Sequence, residues 1–246
     1  MRSILVAGFL TLFLIVTFPL IYIFRFVGLF SKKAEVVCSQ KVVNVAFRII
    51  LFLAGAKRTV IGQENIPKDT PVLFAGNHKS YADIPLAYLT CNKYVGFIAK
   101  KEIKKVPSLS WWMTNVNCLF IDRSDVRQSL VMIRKAIEKI KNGYSIFIMP
   151  EGTRNHTDKL IPFKEGSFKI AQKTGCPIVP VAITNSDGIY ELNHKIKKAK
   201  VVIHYGKPIY PSQTEGEKKQ IAPYVQSKVE EMLAEDRKLV FGEKSD

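Results

Sequence analysis

The sequence predicts an α/β fold, a central mixed and largely parallel sheet flanked by helices, with an N-terminal two-helix membrane-binding segment. Three observations lead there. After Lys57, short apolar runs rich in β-branched and aromatic residues alternate with helical stretches, the pattern of strands covered on both faces. Before it, a charge-free apolar run extends from Ile4 to Phe24. The length of 246 residues suits one sizeable core plus an appendage. The expected division is therefore residues 1–56 for membrane-binding helices and 57–246 for a catalytic domain.

The Ile4 to Phe24 run is long enough to cross a hydrocarbon core of ~30 Å as a helix. A secretory signal peptide competes, but the run is longer than a usual apolar region of that kind. Arg25, Lys32 and Lys33 follow it in place of a small-residue cleavage site. Pro19 kinks any helix through this run, so spanning and partial embedding both stay open. The basic residues after it put the remainder of the chain on the cytoplasmic face of the inner (plasma) membrane. The next segment, Val36 to Ala56, carries Lys41 and Arg48 among apolar residues. It reads as too polar for a span and suited to an amphipathic helix at the interface, with a core helix of the soluble domain as the alternative.

The expected strands are Thr59 to Gly62, Val72 to Ala75, Val95 to Ala99, Leu119 to Ile121, Ser145 to Met149, Ile178 to Ile183 and Val201 to Tyr205. Between the fourth and fifth, Val126, Leu130, Ile133, Ile137 and Ile140 recur on one helical face. Ser124 or Asp125 caps the start of that helix and Gly143 follows its end. A shorter helix runs from Ser167 to Thr174 and stops at Gly175. Near the C-terminus Tyr224, Val225, Val229, Met232 and Leu233 make the one apolar stripe of a surface helix.

With 37 Lys and Arg against 21 Asp and Glu, a formal charge of +16, the field favours anions: lipid head groups, phosphorylated substrates, an acidic carrier or nucleic acid. The cations are spread among helix and strand signals, and no nucleic-acid-binding motif is present, which argues against nucleic acid. Cys38, Cys91, Cys118 and Cys176 lack metal-ligand or redox spacing and read as small hydrophobes in a reducing compartment.

Four motifs carry the chemistry. In Asn77-His78-Lys79-Ser80-Tyr81-Ala82-Asp83, a continuous helix would set His78 and Asp83 about 140° apart, so a shared task needs a turn between them. A strand ending at Ala75 and a helix through Ile84 to Leu89 supply one. A carboxylate on one imidazole nitrogen fixes the tautomer, and the other nitrogen then removes a proton from a hydroxyl. Arg123, after Ile121-Asp122, and Arg154, in Glu151-Gly152-Thr153-Arg154, each follow the carboxyl end of a strand, where α/β sheets meet ligands. Two arginines from adjacent strand ends could clamp one phosphate, with Gly152 admitting close backbone approach; the plain alternative pairs each with an acid such as Asp122 or Glu151. Lys100 and Lys101, with Glu102, add cations at the rim, as does Pro162 to Gly166. In Val179-Pro180-Val181-Ala182-Ile183 the proline argues for an edge strand or bulge, bordering an acyl channel or packing in the core.

A hydrolase with Ser80 as nucleophile is the nearest chemical rival, although neighbours two apart at such a turn rarely face each other and no G-x-S-x-G elbow exists. A metal site would need His78, Asp83, His156 or His194 to converge, and no ligand spacing supports one.

In this order the motifs resemble those of the glycerophospholipid acyltransferases, particularly bacterial-type 1-acyl-sn-glycerol-3-phosphate acyltransferases. N-H-x-S-x-x-D is matched by Asn77, His78, Ser80 and Asp83, F-I-D-R by Phe120 to Arg123 with Lys100 to Glu102 before it, E-G-T-R by Glu151 to Arg154, and V-P-V-A-I by Val179 to Ile183. The set covers roughly residues 72 to 184. Met149 and Asn155 depart from the family pattern, at positions with no charged or catalytic role. The resemblance implies direct acyl transfer from an acyl carrier protein or coenzyme A thioester to the sn-2 hydroxyl of lysophosphatidic acid, giving phosphatidic acid for phospholipid synthesis. The same chemistry on another phosphorylated acceptor, such as glycerol-3-phosphate, is the runner-up. His78 would be the general base and Asp83 its brace. Arg123, Arg154, Lys100 and Lys101 would hold the phosphate, and Glu151, Gly152, Thr153 and Ser80 would order the loops or substrate. Neither metal nor resident cofactor is expected; the partners are membrane lipid and the acidic thioester donor.

Overall fold

Continuous apolar runs, whose successive side chains point to opposite faces, produce a sheet with two buried faces. The computed structural model describes residues 1–122, 125–213 and 221–242. Its strands are β1 (Ala56–Ile61), β2 (Leu73–Gly76), β3 (Val95–Lys100), β4 (Leu119–Ile121), β5 (Ser145–Ile148), β6 (Ile178–Thr184) and β7 (Ala199–Tyr205). Every expected strand is present with its ends moved by a few residues at most. They form one sheet in the order β1-β7-β6-β2-β5-β3-β4. The run β6-β2-β5-β3-β4 is parallel, and β7 pairs antiparallel with β6 and parallel with β1. The carboxyl ends of the five parallel strands therefore share one edge.

The eight helices among the described residues are α1 (Arg2–Val16), α2 (Phe18–Phe30), α3 (Lys32–Ala54), α4 (Asp83–Thr90), α5 (Pro107–Asn115), α6 (Val126–Lys141), α7 (Lys169–Thr174) and α8 (Ile221–Phe241). On one sheet face Phe74, Phe97, Phe147, Val181 and Tyr205 pack with Leu86 and Tyr88 of α4, Val43 and Leu51 of α3, and Trp112 of α5. Phe97 and Phe147 stack at 4.8 Å, and Phe147 and Phe74 at 5.6 Å, so an aromatic row crosses the central strands. On the other face Leu73, Ala75, Ile146, Ile148 and Ile178 meet α6, α7 and α8.

Four local expectations are corrected. The apolar run, read as one helix kinked at Pro19, is two helices, α1 and α2, bent by 49°. Pro19 has no N–H for the Ile15 carbonyl and its ring crowds that turn, so helix α1 ends and Thr17 bridges the break. The Thr17 hydroxyl donates to Phe13 O at 2.6 Å and accepts from Trp112 Nε1 at 3.1 Å. Helix α3, expected to be too polar to span, is long and apolar enough to cross a membrane by length and composition. Its inner side is docked on the α/β unit: Gln40 donates to Lys93 O at 2.7 Å and accepts from Val95 N at 3.1 Å.

The inner stripe of α6 is Met132, Ala136 and Ile140, while Leu130 lies exposed. Ile133 and Ile137 pack at the margin of the same core, as expected. Finally, β6 is neither an edge strand nor bulged, since it lies between β7 and β2 with every residue buried. Pro180 is tolerated because β7 pairs only with Val181 to Thr184. Beside Pro180 the antiparallel ladder is interrupted, and the proline contributes its carbonyl to Gly206 N at 2.9 Å.

The asparagine caps and tight turns include one close approach. A Cβ on Gly96 in β3 would lie 2.1 Å from the Asn117 carbonyl oxygen, and Asn117 itself holds φ at +64°. Backbone, unlike a flexible side chain, cannot swing aside. Gly96→Ala is therefore expected to lower unfolding stability by at least about 2 kcal/mol, measured by chemical denaturation; a change under about 0.5 kcal/mol would mean that the β3–β4 connection moves freely.

Candidate active site

The loop after β2 opens the site. Asn77, fully buried, accepts from Ile183 N at 2.8 Å and donates to Ile183 O at 2.9 Å, which fixes the end of β2 against β6. The chain then turns at residues 78–82 and enters α4 at Asp83. In that turn Asp83 Oδ2 lies 2.8 Å from His78 Nδ1 and accepts from the backbone N–H groups of Lys79 and Ser80 at 2.9 Å each. An oxygen already accepting from two amides is an acceptor toward the ring as well. Nδ1 therefore carries the proton, and Nε2 bears the lone pair. The carboxylate is fully buried and the imidazole partly open.

The Ser80 hydroxyl accepts from Ala82 N at 2.9 Å and is fully buried. It caps the turn and offers no exposed nucleophile, contrary to the hydrolase reading.

Glu151, just past β5, is buried and satisfied by three donors. Its Oε1 accepts from His78 N at 2.8 Å, and its Oε2 from Asn155 Nδ2 at 2.8 Å and Ile161 N at 2.9 Å. Asn155 N also donates to His78 O at 2.7 Å. The main chain of His78 is thus held on both sides by the loop after β5. Asn155, read as a departure from the family pattern with no charged or catalytic role of its own, bonds the Glu151 carboxylate and clasps the His78 backbone. Gly152 holds φ at +79°, and a Cβ there would meet Lys164 Nζ at 2.8 Å. Thr153 is exposed on the same loop.

Arg154 is not a free cation. Its guanidinium lies 3.8 Å from the Tyr81 ring centroid, its Nη2 donates to Tyr81 OH at 3.0 Å, and its Nη1 reaches Glu191 Oε1 at 3.3 Å. The acid that pairs with it is Glu191, not Glu151. Lys100 ends β3 exposed, and Lys101 pairs with Asp122 beyond β4; the hydrogen bond to Asp122 pushes the Lys101 ammonium pKa up. Arg123 lies outside the described residues. The expectation of two arginines on adjacent strand ends needs correction, because β3 lies between β4 and β5. Lys100 and Lys101 occupy the intervening position.

Among the described residues no three His, Cys, Asp or Glu side chains are grouped to hold a metal ion. Cys91, Cys118 and Cys176 are buried and all four thiols are free. Burial pushes Cys91 up to about 12 and raises Cys118 and Cys176, which leaves them inert. Sequence reasoning missed Glu191, Tyr81 and Asn155 as parts of the site.

A family model described as Acyltransferase matches residues 57–184, the stretch holding both site loops. This chain belongs to that acyltransferase family. The acyltransferase is 38% identical over 168 residues to the chloroplastic 1-acyl-sn-glycerol-3-phosphate acyltransferase BAT2 of Brassica napus, covering 65% of this chain and 47% of that protein. To the 1-acyl-sn-glycerol-3-phosphate acyltransferase of Borreliella burgdorferi it is 35% identical over 150 residues, 61% of this chain and 60% of that one. The aligned stretch thus spans about half the length of these curated relatives. The crystal structure of the 1-acyl-sn-glycerophosphate acyltransferase PlsC from Thermotoga maritima superposes with a TM-score of 0.67 at 29% identity, covering 96% of this chain and 98% of that one.

The Glu151 bonds make a local prediction. Glu151→Ala strips partners from the His78 and Ile161 amides, each worth about 1–3 kcal/mol when buried. Hydrogen exchange should rise at those two amides while β2 and β6 stay protected. Unchanged exchange at His78 would show that Glu151 does not hold the loop.

Proposed function

We propose that this acyltransferase moves a fatty acyl group from an acyl thioester to the sn-2 hydroxyl of lysophosphatidic acid, giving phosphatidic acid. The observation that carries the reading is the 2.8 Å contact between His78 Nδ1 and Asp83 Oδ2, set on the sheet edge that also bears Arg154, Lys100 and Lys101. The relatives named 1-acyl-sn-glycerol-3-phosphate acyltransferase support the choice of acceptor.

In the proposed step His78 Nε2 takes the proton of the acceptor hydroxyl as its oxygen attacks the thioester carbonyl. The tetrahedral adduct collapses, the carbon–sulfur bond breaks, and the imidazolium returns its proton to the leaving thiolate. The products are the new ester and a free thiol, with no acyl-enzyme. Asp83 holds the tautomer and stabilises the imidazolium as it forms. Arg154, with Lys100 or Lys101 and Arg123, holds the acceptor phosphate, which converts the reaction into an oriented encounter. The donor is an acyl carrier protein or coenzyme A thioester, both acidic, drawn by the net charge of +16.

We further propose that the N-terminal helices bind the cytoplasmic face of the membrane. Exposed Ile15, Val16, Phe26, Leu29 and Phe30 on α1 and α2 support this, as does the aromatic group of Phe18, Tyr22 and Trp111 beside Arg25. With 15 and 13 residues, neither helix alone reaches the ~20 needed to span, and bent by 49° the pair makes a broken span or a re-entrant segment.

Purified protein given lysophosphatidic acid and each donor should form phosphatidic acid, identified by mass. His78→Ala should lower turnover by at least about a hundredfold with the fold intact, and an active variant removes the mechanism. Arg154→Ala should chiefly raise the KM for the phosphorylated acceptor; an unchanged KM with normal kcat removes the phosphate role. Preference for glycerol-3-phosphate would move the enzyme to the neighbouring acceptor class.

A further inference from the structure

Three loops meet around one buried carboxylate that no motif contains. Glu191 follows β6, and its side chain is only 6% exposed. Its Oε1 accepts from the backbone N–H of Tyr81 at 2.9 Å and lies 3.3 Å from Arg154 Nη1. Tyr81 sits in the turn between His78 and Asp83, and Arg154 lies in the loop after β5. A single oxygen atom therefore joins the turn that carries the imidazole to the arginine at the rim. Tyr81 completes the seat: its ring lies under the guanidinium at 3.8 Å and its hydroxyl accepts from Nη2 at 3.0 Å.

The chemistry of this seat is directional. A guanidinium offers five N–H donors, and Glu191 and Tyr81 engage one from each terminal nitrogen. The others remain for a ligand, and the side chain is 29% exposed. An unrestrained arginine loses rotamer freedom on binding, and here that loss is borne in the fold. Glu191 also has no other charged partner among the described residues: its Oε2 is buried without a hydrogen bond there. A buried carboxylate kept in this state is a costly feature, and the group it faces is Arg154.

We infer that Glu191 and Tyr81 are positioning residues that set the distance between the phosphate-holding cation Arg154 and the base His78. The inference rests on the acyl-transfer reading and adds the device that registers the acceptor: the phosphate is held by an arginine whose location is measured from the imidazole's own turn. It gives Tyr81 a task, since a residue 64% open to solvent otherwise contributes little to folding.

The test is a kinetic cycle on the full-length enzyme with lysophosphatidic acid and the donor that supports turnover. Glu191→Ala and Tyr81→Ala should each lower kcat/KM for the acceptor by roughly tenfold, with part of the loss in kcat, because a displaced phosphate displaces the hydroxyl from His78. In an Arg154→Ala background both effects should vanish, because the residues act through that arginine. The donor KM should not move. Since Tyr81 is exposed, its variant folds even if Glu191→Ala does not, and Glu191→Gln, which retains an acceptor oxygen, should recover most of the affinity.

Additive effects in the Arg154→Ala background would overturn the inference while leaving the function standing. So would an acceptor affinity for Glu191→Gln above wild type, since the carboxylate would then be a competitor of the phosphate. A wild-type enzyme inactive with every donor would overturn the function and the inference together, and that outcome is read before any variant is made.

Discussion

The site depends on one oxygen atom, Asp83 Oδ2, which receives a ring nitrogen and two backbone amides within 2.9 Å. That convergence bends the chain. A carboxylate five residues after an imidazole cannot face it along a regular helix, and the amides of Lys79 and Ser80 supply the donors that hold the intervening turn in place. The same bonds that make the turn also orient the ring, so local folding and tautomer choice are one event. Full burial of Asp83 strengthens each bond, because little water competes for the carboxylate.

A turn of this kind would still be loose if it were tethered only to itself. Glu151 and Asn155 take the His78 amide and carbonyl from the neighbouring loop, and Asn77 binds both backbone groups of Ile183 on the other side. These contacts exist because β5, β2 and β6 are consecutive and parallel, which brings three strand ends to one edge. The sheet topology is thus a condition for the chemistry. Removing β5 from between β2 and β3 would separate the imidazole from the loop that holds its backbone.

Much of this was legible in the residues. The seven strands could be read because sheets buried on both faces demand continuous apolar runs, and the His78–Asp83 pairing because a strand end and a helix start frame it. What escaped detection has physical reasons. Leu130 reads as core by periodicity, yet the buried stripe runs through Met132, Ala136 and Ile140, and an alanine carries little weight in an apolar pattern. Pro180 reads as an edge residue, yet its missing N–H falls where the antiparallel partner has already diverged. The break between α1 and α2 was visible in Pro19, but not its size, which depends on Trp112 and Thr17 from separate parts of the chain. Asn155 looked dispensable because its contacts are to main chain and to Glu151, and only folding reveals them.

Glu191 is the sharpest case. It sits in no motif, and a surface acid in a loop after a strand is the ordinary expectation. Its importance follows from position in the sheet: β6 is parallel to β2, so the loop after it returns to the edge where Arg154 and the His78 turn emerge. An arginine presented alone on that edge would sample many rotamers and lie at many distances from the imidazole. Flanked by a buried carboxylate and an aromatic face it has one location, and the separation between charge and base becomes a property of the fold. The two functional parts of the site are then not independent groups that substrate must bring together. The Tyr81 amide of the His78 turn and the Arg154 guanidinium share one carboxylate oxygen, Glu191 Oε1, at one strand edge, so under the proposed acyl-transfer reading a phosphate bound at Arg154 would set the position of the acceptor hydroxyl.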